Sequence, residues 1–174
     1  MEESGPSVQS PGATLATTPR QPALPINDIS AEKARSKATG IGEFDRVLGG
    51  GIVPGAVILL AGEPGVGKST LLLEVASTCA GAAPVLYITG EESASQVRGR
   101  AERIGALHPQ LFLADETSLS TALGHIEATN PSLVIVDSVQ TLQSDQLDGG
   151  AGSVAQVRAV ASALIRVAKE RSIP

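Results

Sequence analysis

Cysteine, aromatics and long apolar runs are the scarce features of this 174-residue sequence. It has one cysteine, Cys79, no tryptophan, and only 2% aromatic residues. A single cysteine excludes a disulfide framework within the chain and a cysteine-built metal site, so no zinc is expected. No apolar run approaches the roughly 18 residues of a membrane span; the best candidate, Gly51–Gly62, is cut by Pro54. Met1-Glu2-Glu3-Ser4 lacks the basic-then-apolar layout of a secretory signal. The expectation is a soluble, cytoplasmic chain without a membrane partner. Positive charge is also short, with 13 basic against 18 acidic residues and a net charge of −5. That balance argues against constitutive nucleic-acid binding but leaves room for a local or ligand-gated patch. Hydrophobic residues make up 42% of the chain, enough for a real core, which excludes disorder over the whole length.

Residues 1–27 carry Pro6, Pro11, Pro19, Pro22 and Pro25 among Ser, Thr, Gly and Ala, with no helical or strand period. They are predicted to be a disordered tail or linker, with the folded core over 28–174. In the core, apolar runs alternate with helical stretches. Strands are expected at Ala56–Ala61, Val85–Thr89, Leu111–Leu113 and Leu133–Asp137, and helices near Lys68–Cys79, Ser93–Ile104, Ser118–Thr129 and Ser153–Lys169. Apolar runs without polar alternation, separated by helices, predict a mainly parallel sheet covered on both faces, an α/β fold. The chain ends at Pro174, just after a helix and where the alternation calls for another strand. A core incomplete at its C-terminus is therefore expected.

The sharpest motif is Gly62-Glu63-Pro64-Gly65-Val66-Gly67-Lys68-Ser69-Thr70, which fits G-x-x-x-x-G-K-[ST] between a predicted strand and a predicted helix. A chance match in a chain of this composition is expected about once in a hundred. Gly62, Gly65 and Gly67 allow backbone angles that turn successive N–H groups inward and leave no side chain to block a phosphate. Those groups and the helix N-terminus would hold α- and β-phosphates, Lys68 would place its charge at the β/γ oxygens, and the Ser69 hydroxyl would ligate Mg²⁺. Thr70 is the alternative hydroxyl, or simply a helix position.

Two acidic strand ends accompany the loop. Asp137 closes a parallel strand on the ligand edge of the sheet, where Mg²⁺ would lie, directly bound or through water. Ser138 could bond a phosphate oxygen or merely cap the turn. Glu91 and Glu92 follow the strand Val85–Thr89, and either could polarise a water for attack on the γ-phosphorus. Acids there also stabilise the N-terminus of the next helix. Thr141–Gly152 is a long polar loop on the same edge, with Asp145 and Asp148 as its charges. His108 and His125 are read as surface or core residues, Cys79 as a small core residue, and Arg98, Arg100 and Arg103 as a solvated face.

Thr39-Gly40-Ile41-Gly42-Glu43-Phe44-Asp45-Arg46-Val47-Leu48-Gly49-Gly50-Gly51, the phosphate loop, Thr89–Ser93, Val136–Thr141 and Gly152–Arg158 stand in an order that resembles the RecA-like ATPases, and within them the bacterial RadA (Sms) DNA repair family. The likeness runs over roughly residues 35–173. It implies an ATP-driven, ring-forming homo-oligomer that acts on single-stranded or branched DNA with recombination proteins. By position it gives phosphate and Mg²⁺ binding to Lys68 and Ser69, the acidic strand end to Asp137, and the water-activating role to Glu91. Thr141, Gln143, Ser144 and Ser153 fall where a DNA-facing loop lies. The family's four-cysteine zinc module, its Lys-Asn-Arg-Phe-Gly motif and its protease-like domain have no counterpart in these residues. In this class the strand after the acidic one inserts between it and the phosphate-loop strand. The resemblance implies ATP as the nucleotide; the residues themselves add only that no Asn-Lys-x-Asp guanine motif occurs.

Overall fold

The computed structural model describes residues 22–31 and 35–174, and divides into two units, residues 1–31 and 32–174. Most of the expected disordered tail, residues 1–21, lies outside the described residues. Residues 22–31 contain one short 3-10 turn, Ile26–Asp28, with no buried side chain.

The larger unit is a three-layer α/β/α arrangement. Its strands β1 (Val85–Thr89), β2 (Leu111–Asp115) and β3 (Leu133–Asp137) are all parallel, in the order β2-β1-β3. β1 is central and buried at every position. Such a strand needs apolar residues on both faces, which is why Val85-Leu86-Tyr87-Ile88 does not alternate with polar residues. Side chains of Val85, Tyr87, Leu133 and Ile135 share one core with helices α2 (Lys68–Ala80) and α3 (Ala94–Arg103). Leu86 and Ile88 face the other way, into a core with α4 (Leu119–Thr129) and α5 (Val154–Arg171). The period of two along each strand thus sorts the helices into two layers. Cys79 packs at the margin of the first core, and burial raises its thiol pKa.

Helix starts are written in serine. Ser93, Ser118 and Ser153 are the N-caps of α3, α4 and α5, each accepting from the backbone N–H three residues on. The expected helices near 93, 118 and 153 therefore begin one residue later, with the serine as cap.

One expected strand is not formed. Ala56–Ala61 pairs with no strand among the described residues, and Val57, Ile58 and Leu59 are exposed. A strand exists only by exchanging hydrogen bonds with a neighbour. β1 already has both edges filled, while β3 lies at the edge of the sheet, where Val134 N–H donates to the Pro174 carbonyl at 2.9 Å. The apolar run is thus a segment with strand character and no partner.

An unexpected short helix, α1 (Gly42–Val47), lies in the segment before it. It is organised by Asp45, whose Oδ1 accepts from Thr39 N–H and from the Thr39 hydroxyl, both at 2.8 Å, while Oδ2 accepts from Gly40 N–H at 3.2 Å. These bonds, led by the Thr39 amide, hold the carboxyl below its ordinary pKa of 3.8. A lowered folded-state pKa means that the clasp contributes fully above that ordinary value and is lost as pH falls through the lowered one. Amide NMR should show Thr39 and Gly40 N–H shifts changing together with a midpoint below 3.8. A midpoint at or above it would mean that the clasp does not favour the ionised carboxylate.

Candidate functional site

The loop Gly62–Gly67 is exposed and leads directly into α2. Of its glycines, Gly65 (φ 80°) and Gly67 (φ 98°) take the left-handed conformation, and Gly62 does not. Gly67 is the N-cap of α2 and supplies no side-chain acceptor, unlike the serines that begin the three later helices. The first N–H groups of a helix have no partner within it. At α2 they belong to Lys68, Ser69 and Thr70, and the first intrahelical bond is from Leu71 N–H to the Gly67 carbonyl. Lys68 folds back over the loop, its Nζ donating to the carbonyls of Gly62 (2.7 Å) and Glu63 (2.8 Å). Glu63, Pro64 and Val66 are exposed around it.

The ends of β1 and β3 lie in register, Thr89 beside Asp137, with Gly90 N–H donating to the Asp137 carbonyl at 3.1 Å. The peptide between Asp137 and Ser138 is cis. Ser138 Oγ donates to Glu91 Oε1 at 2.8 Å, so Glu91 stands across from the residue that follows Asp137. Glu92 turns elsewhere. It forms an ion pair with Arg100 of α3, both side chains half-buried, and its backbone is bracketed by the Thr89 hydroxyl. The adjacent acids that sequence could not separate are thus divided, one at the strand edge and one committed to a helix. Arg100 leaves the solvated face expected for the three arginines, and its Nη1 is buried without a partner.

Asp137 has a partner that the sequence did not suggest. The Tyr87 hydroxyl donates to Asp137 Oδ2 at 2.7 Å. Burial first, then that hydrogen bond, pushes the phenol far above its usual pKa of 10.0, so it remains a donor.

The four residues expected to face DNA also make hydrogen bonds within the chain. Thr141 Oγ1 donates to the Ser138 carbonyl at 2.8 Å and lies so close to Gly90 that a Cβ there would meet it at 2.2 Å. Gln143 pairs through its backbone with Thr117 and Leu119. Ser144 N–H donates to Gln156 Oε1, and Ser153 caps α5. The exposed stretch of the loop runs instead over residues 145–152. Gln156 is 1% exposed and anchors this loop. Its Nε2 donates to the carbonyls of Ser144 (3.2 Å), Leu147 (2.8 Å) and Gly149 (3.3 Å). His108 Nδ1 accepts from Gln110 N–H in a surface turn. Among the described residues no cluster of three or more His, Cys, Asp or Glu is placed to hold a metal.

Comparison with known proteins agrees with the resemblance to RadA. The family described as ATPase: KaiC matches residues 37–116. The DNA repair protein RadA of Mycolicibacterium smegmatis is 54% identical over 158 residues, covering 90% of this chain and 34% of that protein. The chain thus carries a KaiC-like ATPase domain and is similar to RadA over about 90% of its length. RadA of Mycobacterium tuberculosis is 52% identical over 91% of this chain, and RadA of Aquifex aeolicus 44% identical over 87%. The RecA-like chain spans about a third of the length of these curated relatives. Among solved structures, the flagellar accessory protein FlaH from Methanocaldococcus jannaschii is similar with a TM-score of 0.49 and 20% identity, covering 79% of this chain and 68% of that one. Among the described residues no helix is long and apolar enough to cross a membrane.

Proposed function

We propose that the chain binds Mg-ATP in the loop Gly62–Thr70 and hydrolyses it, as the motor part of a cytoplasmic DNA repair ATPase that acts on single-stranded or branched DNA within a homo-oligomeric ring. The observation that carries the reading is the bare start of α2. Three helices are capped by serine, while the one that follows the phosphate-loop motif begins at Gly67 with unpartnered N–H groups. An anion is the natural acceptor for such groups, because both the N–H donors and the helix dipole favour it. Lys68 then exchanges two loop carbonyls for phosphate oxygens. Ser69 and Asp137 supply the oxygen donors for Mg²⁺, which needs only one or two protein ligands when substrate phosphates supply others. Bound there, Mg²⁺ would neutralise charge on the β- and γ-oxygens. Glu91 polarises the attacking water and accepts its proton, with the Ser138 hydroxyl orienting the carboxylate. Recombination proteins are the partners that this reading implies, and the exposed stretch 145–152 is the part of the loop open to DNA.

A second reading is favoured by the unpaired segment 56–61, because the chain that enters the loop is not anchored in the sheet. On that reading the chain binds nucleotide without turning it over. Thermal unfolding of the full chain with and without Mg-ATP tests binding, beside Lys68→Ala. The variant is expected to lose at least about tenfold in Mg-ATP affinity, or ~1.4 kcal/mol of ligand stabilisation at saturation. Equal stabilisation of both proteins would refute binding through this loop. Lys68-dependent turnover, raised by single-stranded DNA, separates the first reading from the second.

A further inference from the structure

Tyr87 is the one tyrosine of a sequence that has no tryptophan. It lies in the central strand beside Ile135, two residues before the Thr89–Asp137 pair. Residues two apart on a strand share a face. The ring therefore runs along the α2 side of the sheet, in the core formed with Leu73 and Val97, and its hydroxyl reaches forward to Asp137 Oδ2 at 2.7 Å. Tyr87 is 1% exposed, which shields the phenol end of this bond from water. A phenylalanine would fill the same core volume; only the hydroxyl touches the carboxylate. With Oδ2 engaged by the phenol, the acceptor capacity of Asp137 is concentrated on Oδ1.

We infer that Tyr87 is a positioning residue for the Mg²⁺ of the bound nucleotide: its hydroxyl fixes the Asp137 carboxylate so that Oδ1 is presented to the metal or to a metal-bound water. The inference rests on the proposed role of Asp137 in holding Mg²⁺. Groups that orient a metal-binding carboxylate through a hydrogen bond typically change metal affinity by about 10–100-fold when removed. The opposing account makes Asp137 a mere acceptor that satisfies a buried phenol. In that case loss of the hydroxyl changes stability and leaves metal affinity alone.

The test is a Mg²⁺ titration of the full chain in the presence of ATP, read by melting temperature and by tyrosine emission. Melting is compared with ATP in EDTA for wild type, Tyr87→Phe and Asp137→Asn, and emission for the two proteins that keep Tyr87. Tyr87→Phe is expected to bind ATP in EDTA like wild type and to require about tenfold more Mg²⁺ for half of the metal-dependent stabilisation. Tyr87 emission in the wild type is expected to change when Mg²⁺ joins ATP, and not to change in Asp137→Asn. If Asp137→Asn loses the Mg²⁺ effect while Tyr87→Phe retains it in full, the positioning role is wrong and the metal role of Asp137 stands. If Asp137→Asn retains it as well, or the wild type binds no ATP, the underlying reading fails and this inference fails with it. Should Tyr87→Phe not fold cooperatively, wild-type emission decides: no response to Mg²⁺ with ATP bound overturns the proposal.

Discussion

Glu91→Gln is expected to lower Mg-ATP turnover by about 10²–10⁴-fold while nucleotide affinity stays near that of the wild type. The substitution keeps the shape of the side chain and its acceptor oxygen for the Ser138 hydroxyl, and removes the basic carboxylate. Glu92→Gln should behave in the opposite way. Its acid is paired with Arg100, both side chains half-buried, so the loss falls on stability, by about 1 kcal/mol after allowing for solvent screening. Turnover should change only in so far as α3 loosens. Steady-state ATP hydrolysis and thermal melts of the two variants check the crossed pattern. A Glu92→Gln enzyme that folds normally and is dead, beside an active Glu91→Gln, would reverse the assignment. Two active variants would place the water-activating base elsewhere.

Gln156→Leu is expected to destabilise the chain by about 3 kcal/mol, or ~6–12 °C in melting temperature. The side chain makes four hydrogen bonds, accepting from Ser144 N–H and donating to three carbonyls of the loop. Leucine matches the volume, so the loss is almost purely polar. It leaves backbone groups that must find water or remain unpaired. Gln156→Glu is a sharper probe. It keeps the bond from Ser144 and sets a carboxylate against carbonyls that previously received N–H donors, so it should cost at least as much. Amide exchange at Ser144 should accelerate in Gln156→Leu well before the core opens. Unchanged melting in Gln156→Leu would mean that the loop holds its position by other means.

The readability of this chain from sequence depends on whether a feature is local. Val85–Thr89 and Leu133–Asp137 form at the expected residues, because an uninterrupted apolar run between helices has few alternatives to a buried parallel strand. Ala56–Ala61 carries the same pattern and forms no strand, because pairing is a property of two segments and the pattern describes one. α1 escaped notice because six residues are too few to show a helical period, and its organiser is a carboxylate reaching back to Thr39. Serine three residues before glutamine occurs twice, with different outcomes. At Ser93 and Gln96 it is a reciprocal capping box. At Ser153 and Gln156 the serine caps, while the glutamine turns away into the loop. No local signal separates the two cases.

The same limit applies to the site. The phosphate-loop motif and the acidic strand ends were visible because their spacing is contiguous. Glu91 and Glu92 were inseparable as neighbours in sequence, and became distinct only through Ser138 on one side and Arg100 on the other. The Tyr87 contact with Asp137 depends on strand register, which only the folded sheet supplies.

The unpaired run Val57-Ile58-Leu59-Leu60 and the edge position of β3 bear on how the protein behaves in company. Residues 57–60 and Leu133–Val136 of β3 are apolar and uncharged, and β3 is covered at Val134 by the carbonyl of Pro174. A strand edge covered at only one residue, and a free apolar segment, are templates for pairing between molecules. In concentrated solution the chain therefore carries its own aggregation seed, and a charged residue on the outward side of residues 57–60 is the conservative place to disarm it.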